Sequence, residues 1–123
     1  MPYEHIWESQ GLVRCFYGCI TADELAQSAA TVQADPHFDK LRYIINDCRD
    51  CNSVSVTAGA IEEIAAIDGA AALNNDKIRI ATVSVDPEVL AITDMYVSAN
   101  FIPFVCQNFS TMGEAREWLS EKY

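Results

Sequence analysis

Leu41-Arg-Tyr-Ile-Ile-Asn-Asp47 runs through Cys48-Arg-Asp-Cys-Asn-Ser53 to Ser55-Val-Thr-Ala-Gly59, which opens an alanine-rich helical pattern ending near Leu73. Its first piece predicts a strand over Leu41 to Asp47. The central Tyr43-Ile44-Ile45 is continuously apolar rather than alternating, as a strand buried on both faces requires. The helix predicted over Thr57 to Asn74 turns Ile61, Ile64, Ala65, Ala71 and Ala72 to its packing side, where small residues permit close approach to a sheet. A doubly covered strand feeding a helix is the repeating unit of an α/β sheet.

The flanking sequence extends that unit in both directions. Residues 3–8 read as a strand with Tyr3, His5 and Trp7 on one face and Glu4, Ile6 and Glu8 on the other. Ser9-Gln10-Gly11 supplies a turn into a hairpin partner over residues 11–20. Thr21-x-x-Glu24 is a capping box, and Ala22, Leu25, Ala29 and Val32 form the apolar stripe of the helix it starts, which Asp35-Pro36 ends. Lys77 to Val85 reads as a strand. Asp86-Pro87 caps a third helix, Phe104 to Gln107 forms a last strand, and Thr111-x-x-Glu114 caps a final helix with Met112, Ala115 and Leu119 on one face. The predicted order is ββαβαβαβα. It implies an antiparallel hairpin feeding right-handed crossovers, hence one α/β domain over residues 1–123 with a mixed five-stranded sheet and four helices.

Composition excludes several functions. Eight basic and eighteen acidic side chains give a formal charge of −10, which repels nucleic-acid phosphates and anionic headgroups. Contact with a membrane surface through an apolar patch stays open. No apolar run approaches the roughly 20 residues that span a bilayer, and the acidic N-terminus lacks a signal-peptide pattern, so a cytoplasmic protein is expected. Five cysteines in such a chain argue against a disulfide framework. Cys48-x-x-Cys51 could hold a metal or act as a redox pair. With Cys48 closing a strand and Cys51 in the following loop, neither sits at a helix start that would activate it. Cys15 and Cys19 are expected on one strand face with Val13 and Tyr17, toward the core. Ordinary thiols are the preferred reading, with no metal and no cofactor.

Ser55-Val56-Thr57-Ala58-Gly59 resembles the switch segment of STAS domains. In anti-sigma-factor antagonists of that group the matching helix opens with Asp-Ser-Ser/Thr-Gly and the second hydroxyl is phosphorylated. Aligned on Gly59, the acceptor position here is Ala58. The resemblance spans nearly the whole chain and is closest to the SpoIIAA-like family, through Asp35-Pro36-x-Phe38, Leu41-Arg42-Tyr43, Asp86-Pro87-Glu88 and Glu114-Ala115-Arg116-Glu117-Trp118-Leu119. It implies a STAS-like fold, similar also to lipid-carrying CRAL-TRIO domains, and binding of apolar ligands or membranes without an established reaction.

Three places stand as candidate sites. Thr57 reads as a helix N-cap in preference to a phosphoacceptor. Asp47, Arg49 and Asp50 crowd the strand's carboxyl end, where open α/β sheets place ligands, although a solvated loop with a local ion pair explains them more simply. The third helix carries a core stripe of Val89, Ile92, Tyr96 and Ala99 and a second apolar stripe of Leu90, Val97 and Phe101, followed by Ile102-Pro103-Phe104. A fully buried helix, a protein interface and the wall of an apolar pocket all fit that pattern. His5 and His37 show no partner signal, and no catalytic constellation emerges. The preferred function is a non-enzymatic STAS-like binding module acting through protein contacts, as a homodimer or with another protein. The alternative is an apolar-ligand or membrane-surface protein, its third helix a lid over a cavity lined by Leu90, Tyr96, Val97, Phe101 and Phe104.

Overall fold

The computed structural model describes residues 3–99 and 102–121. Five strands form one mixed sheet in the order β1-β2-β3-β4-β5. They are β1 (Tyr3–Trp7), β2 (Gly11–Thr21), β3 (Tyr43–Ser55), β4 (Arg79–Val83) and β5 (Val105–Phe109); β1 is antiparallel to β2 and every other pair is parallel. Four α-helices complete the expected order: α1 (Ala22–Ala34), α2 (Ala58–Ala71), α3 (Pro87–Ser98) and α4 (Met112–Ser120).

Strand order dictates where the helices lie. Each parallel strand is added on the same side of its predecessor, so right-handed crossovers deliver α1, α2 and α3 to one face. Val32, Ala71 and Tyr96 pack there against Leu12, Ile44 and Ile80. The other face is left to α4, whose Ala115 and Leu119 cover Val13, Ile45, Ala81 and Val83. Central β3 is therefore sandwiched, as its apolar run requires.

Four helix starts follow their sequence signals. The hydroxyls of Thr21, Thr57 and Thr111 accept from the backbone N–H groups of Glu24, Ala60 and Glu114, and Asp86 accepts from Glu88 and Val89. At Thr21 only half of the capping box forms, since Glu24 Oε2 is buried without a partner among the described residues.

Two expectations need correction. β3 does not end at Asp47: it runs to Ser55, so Cys48 and Cys51 lie in the strand, both buried, and Asp47, Arg49 and Asp50 belong to a strand rather than a loop. Beyond the last β4 partner at Asp47, β3 pairs with β2 alone, and two register shifts absorb extra β3 residues. The polar run Cys-Arg-Asp-Cys-Asn-Ser hides this extension because it follows neither an apolar nor a strictly alternating pattern. Secondly, Cys15 and Cys19 do not share an environment. Cys15 is buried in the cluster that includes Ala115 and Leu119 of α4, whereas Tyr17 and Cys19, farther along the strand, are exposed.

The end of β1 is tied to α4. Arg116 donates from Nη1 and Nη2 to the two oxygens of Glu8, both at 2.8 Å, and the Tyr43 hydroxyl also donates to Glu8. The Arg116 hydrogen bonds, followed by that from Tyr43, hold the Glu8 carboxyl below its ordinary value despite opposing desolvation. A lowered folded pKa stabilises the fold above the ordinary glutamate value, and this contribution disappears as pH falls through the folded value. Glu8→Gln should cost about 0.5–1 kcal/mol near neutral pH after solvent screening. Urea denaturation between pH 3 and 7 should show a shallower acid limb for the variant; parallel pH profiles would refute this role.

Candidate functional site

A polar row crosses the face of the sheet that α1, α2 and α3 cover. His5, Arg14, Asn46, Thr82 and Asn108 are successive register partners on β1, β2, β3, β4 and β5. The next row on that face, Trp7, Leu12, Ile44, Ile80 and Cys106, is apolar throughout. Register alone therefore gathers one polar residue from each strand beneath the helices.

Each covering helix answers with polar groups. From α1, the fully buried Ser28 accepts from Arg14 Nη1 at 3.3 Å and bonds His5 Nε2 at 2.8 Å. Arg14 Nε donates to Asn46 Oδ1 at 2.8 Å, and the guanidinium lies 5.6 Å from the Phe16 ring centroid. From α2, Asp68 accepts from Gln33 Nε2 at 2.7 Å and from the Tyr96 hydroxyl of α3 at 2.6 Å. Arg14 and Asp68 make no ion pair within 4 Å, although they influence one another through space.

Between row and helices lies a chamber of about 80 Å³, lined by Arg14, Asn46, Thr82, Asp68, Thr93 and Tyr96 and by apolar carbons of Leu25, Ile61, Ile64, Ile80 and Ile92. Its volume is several times the roughly 10–15 Å³ one water needs. Two smaller recesses that share Arg14 extend toward Val89 and toward Phe104. Arg14 Nη2, the Asn46 amide nitrogen and the hydroxyls of Thr82 and Thr93 make no hydrogen bond to protein among the described residues.

Burial sets the electrostatics. Desolvation pulls the Arg14 guanidinium below its ordinary value while Asp68 opposes the shift; starting so high, the group stays charged. Burial raises the Asp68 carboxyl, against the Tyr96 hydrogen bond and the Arg14 charge. Tyr96 is raised by burial and then by Asp68, and Cys106, from the same two causes, is pushed up to about 12. His5 is lowered by burial and then by Arg14, which favours the neutral ring. Ser28 and His5 are within reach of a nucleophile–base pair, but Ser28 is sealed from any substrate and its oxygen already accepts from Arg14.

The structure distributes the sequence candidates unevenly. Tyr96 lines the chamber, and Phe104 lines the small recess beside it. Leu90 and Val97 do not line it: α3 turns Val89, Ile92, Thr93 and Tyr96 inward at spacings of three and four, which leaves Leu90 half-buried and Val97 45% exposed. Phe101 lies outside the described residues. Thr57 is the α2 N-cap, Ala58 and Gly59 open that helix on the surface, and none of the three reaches the chamber. Arg49 is exposed and pairs with Asp47 at 2.9 Å, and Asp50 is also exposed. Among the described residues no three His, Cys, Asp or Glu side chains converge on a metal position. Cys48 and Cys51 share a core patch with Phe16 and Val89, where Cys51 and burial hold the Cys48 thiol well above its ordinary value.

Arg14, Asn46, Asp68 and Thr82 escaped the sequence reading. Each had a local signal, a polar residue at an inward position of an apolar segment, but only the register makes the signals coincide.

Tyr96→Phe tests the network. Loss of the donor to Asp68 should cost about 1–2 kcal/mol and raise the Asp68 pKa further. An acid whose folded pKa is raised loses stability as pH climbs from its unfolded toward its folded value, so the variant should lose stability more steeply across that window. Carboxyl-carbon NMR titration and urea denaturation measure both effects; an unmoved Asp68 pKa would refute the contact.

Two solved structures are similar over nearly all of the chain. An uncharacterized protein of the DUF3478 family with a SpoIIAA-like fold, from Shewanella loihica PV-4, is 16% identical with a TM-score of 0.55, over 95% of this chain and 91% of that one. The anti-sigma factor antagonist SpoIIAA, in its unphosphorylated form, is 10% identical with a TM-score of 0.64, over 98% and 99%. The chain has the SpoIIAA-like α/β fold. No family model matches it, and no curated protein does.

Proposed function

We propose that this chain is a non-enzymatic binding module that holds a small, mostly apolar molecule between its sheet and α1–α3, with α3 as the movable cover. The observation that carries the reading is the chamber of about 80 Å³: apolar walls around a few polar groups that lack protein partners. Polar groups without protein partners call for an occupant, water or ligand, and the apolar walls favour an organic one. The five free thiols suit a reducing compartment, which favours the cytoplasm. No helix among the described residues is long and apolar enough to cross a membrane.

Phosphorylation at the aligned switch position is chemically unavailable, because Ala58 has no hydroxyl, and the Thr57 hydroxyl serves as a cap at 3.1 Å from the Ala60 amide. The binding role is therefore read as constitutive.

Protein contact is the second reading, favoured by the apolar side chains that α3 leaves outside. Val97 flanks the β5 side of the sheet, and β5 pairs with β4 alone among the described residues. An open edge beside exposed apolar carbon suits pairing with a second copy or another protein.

The two readings separate experimentally. Titrating the protein with 1-hexanol should shift the methyl resonances of Ile61, Ile64, Ile80 and Ile92 selectively, and Ile92→Trp, which fills the chamber, should abolish the shifts. Uniform or absent shifts would remove the ligand reading. Leu90→Asp with Val97→Asp should leave the hexanol shifts intact; in sedimentation velocity the same pair should dissociate any dimer, and an unchanged oligomeric state would remove the self-association reading through α3.

A further inference from the structure

We propose that the occupant of the chamber is a small monocarboxylate with an apolar tail, its head received by Arg14. The inference rests on the ligand reading above and adds the chemical class. Arg14 carries five N–H donors, and the structure uses Nε on Asn46 and one Nη1 hydrogen on Ser28. The remaining three, including both on Nη2, have no protein acceptor among the described residues. Around them the Asn46 amide nitrogen and the Thr82 and Thr93 hydroxyls are likewise without partners. The amide and carboxylate oxygens that line the chamber are each already engaged: Asn46 Oδ1 receives Arg14, and the two Asp68 oxygens receive Gln33 and Tyr96. The floor of the chamber thus has a surplus of donors centred on a cation.

The complement of that surplus is a compact anionic acceptor. A planar carboxylate matches the guanidinium fork in two parallel bonds. Asp68 lines the same chamber, so a dianion such as a phosphate monoester would meet a like charge that a monoanion meets only once. With its head on Arg14, a short aliphatic tail is directed to Leu25, Ile61, Ile64 and Ile92, where it buries apolar area. Water satisfies the same donors without using these walls.

The test compares hexanoate with 1-hexanol, which share a tail and differ in head, by calorimetry and methyl NMR on the wild-type protein, Arg14→Met and Arg14→Lys. The expected result is hexanoate binding roughly tenfold or more tighter than hexanol to the wild type. Arg14→Met should remove that preference, and Arg14→Lys, which keeps the charge without the fork, should retain part of it. Hexanol binding as well as or better than hexanoate to the wild type would overturn the carboxylate assignment and leave the ligand reading standing. Failure of both probes to reach the chamber methyls would overturn both. Because the head-group comparison is made on the wild type, the proposal stays testable if Arg14→Met does not fold.

Discussion

A guanidinium carried into the middle of a sheet has to be resolvated there, and much of this architecture follows from that requirement at Arg14. Desolvating such an ion costs several kcal/mol even after relaxation. The protein supplies partial compensation through the Asn46 oxygen, the buried Ser28 hydroxyl, the Phe16 ring and the charge of Asp68 held at a distance. Each comes from a different place: β3, α1, β2 and α2. Asp68 instead accepts from Gln33 and Tyr96, which link α2 to α1 and α3. The fold keeps the charges apart and leaves space between them. That separation makes the chamber.

The element order was legible because strong local signals mark it: three threonine caps, the Asp86-Pro87 start, and the apolar Tyr43-Ile44-Ile45 core of β3. Where local signals failed, the reason is physical. The second half of β3 is held by pairing with β2 and by register shifts, neither of which leaves a periodic trace in Cys48 to Ser53. The site is a product of register. Arg14, Asn46, Thr82 and Asn108 lie up to 94 positions apart in sequence and align only because three strand pairings bring them into one row. The third helix carries a surplus of apolar residues, and Tyr96 is the one among its candidates that lines the chamber. Leu90 and Val97 lie outside the chamber lining, since a second apolar stripe can face a partner as readily as a cavity.

The comparison with SpoIIAA sharpens what is distinctive here. The fold is shared over almost the full length, but at 10% identity nothing about residue roles transfers. The helix start that resembles a phosphorylation switch presents Ala58 and a Thr57 engaged as a cap, whereas the chemistry is concentrated at mid-sheet beneath α3. In the proposed reading the binding site is that interior chamber rather than the helix start.

Native mass spectrometry of the protein purified gently from cells, set beside its denatured mass, tests this account most directly. The account expects a retained organic mass of roughly a hundred daltons, the size the chamber and its adjoining recesses can hold, that is lost on denaturation. A native mass equal to that of the bare chain, or to a whole multiple of it, would contradict a chamber that is occupied in the cell.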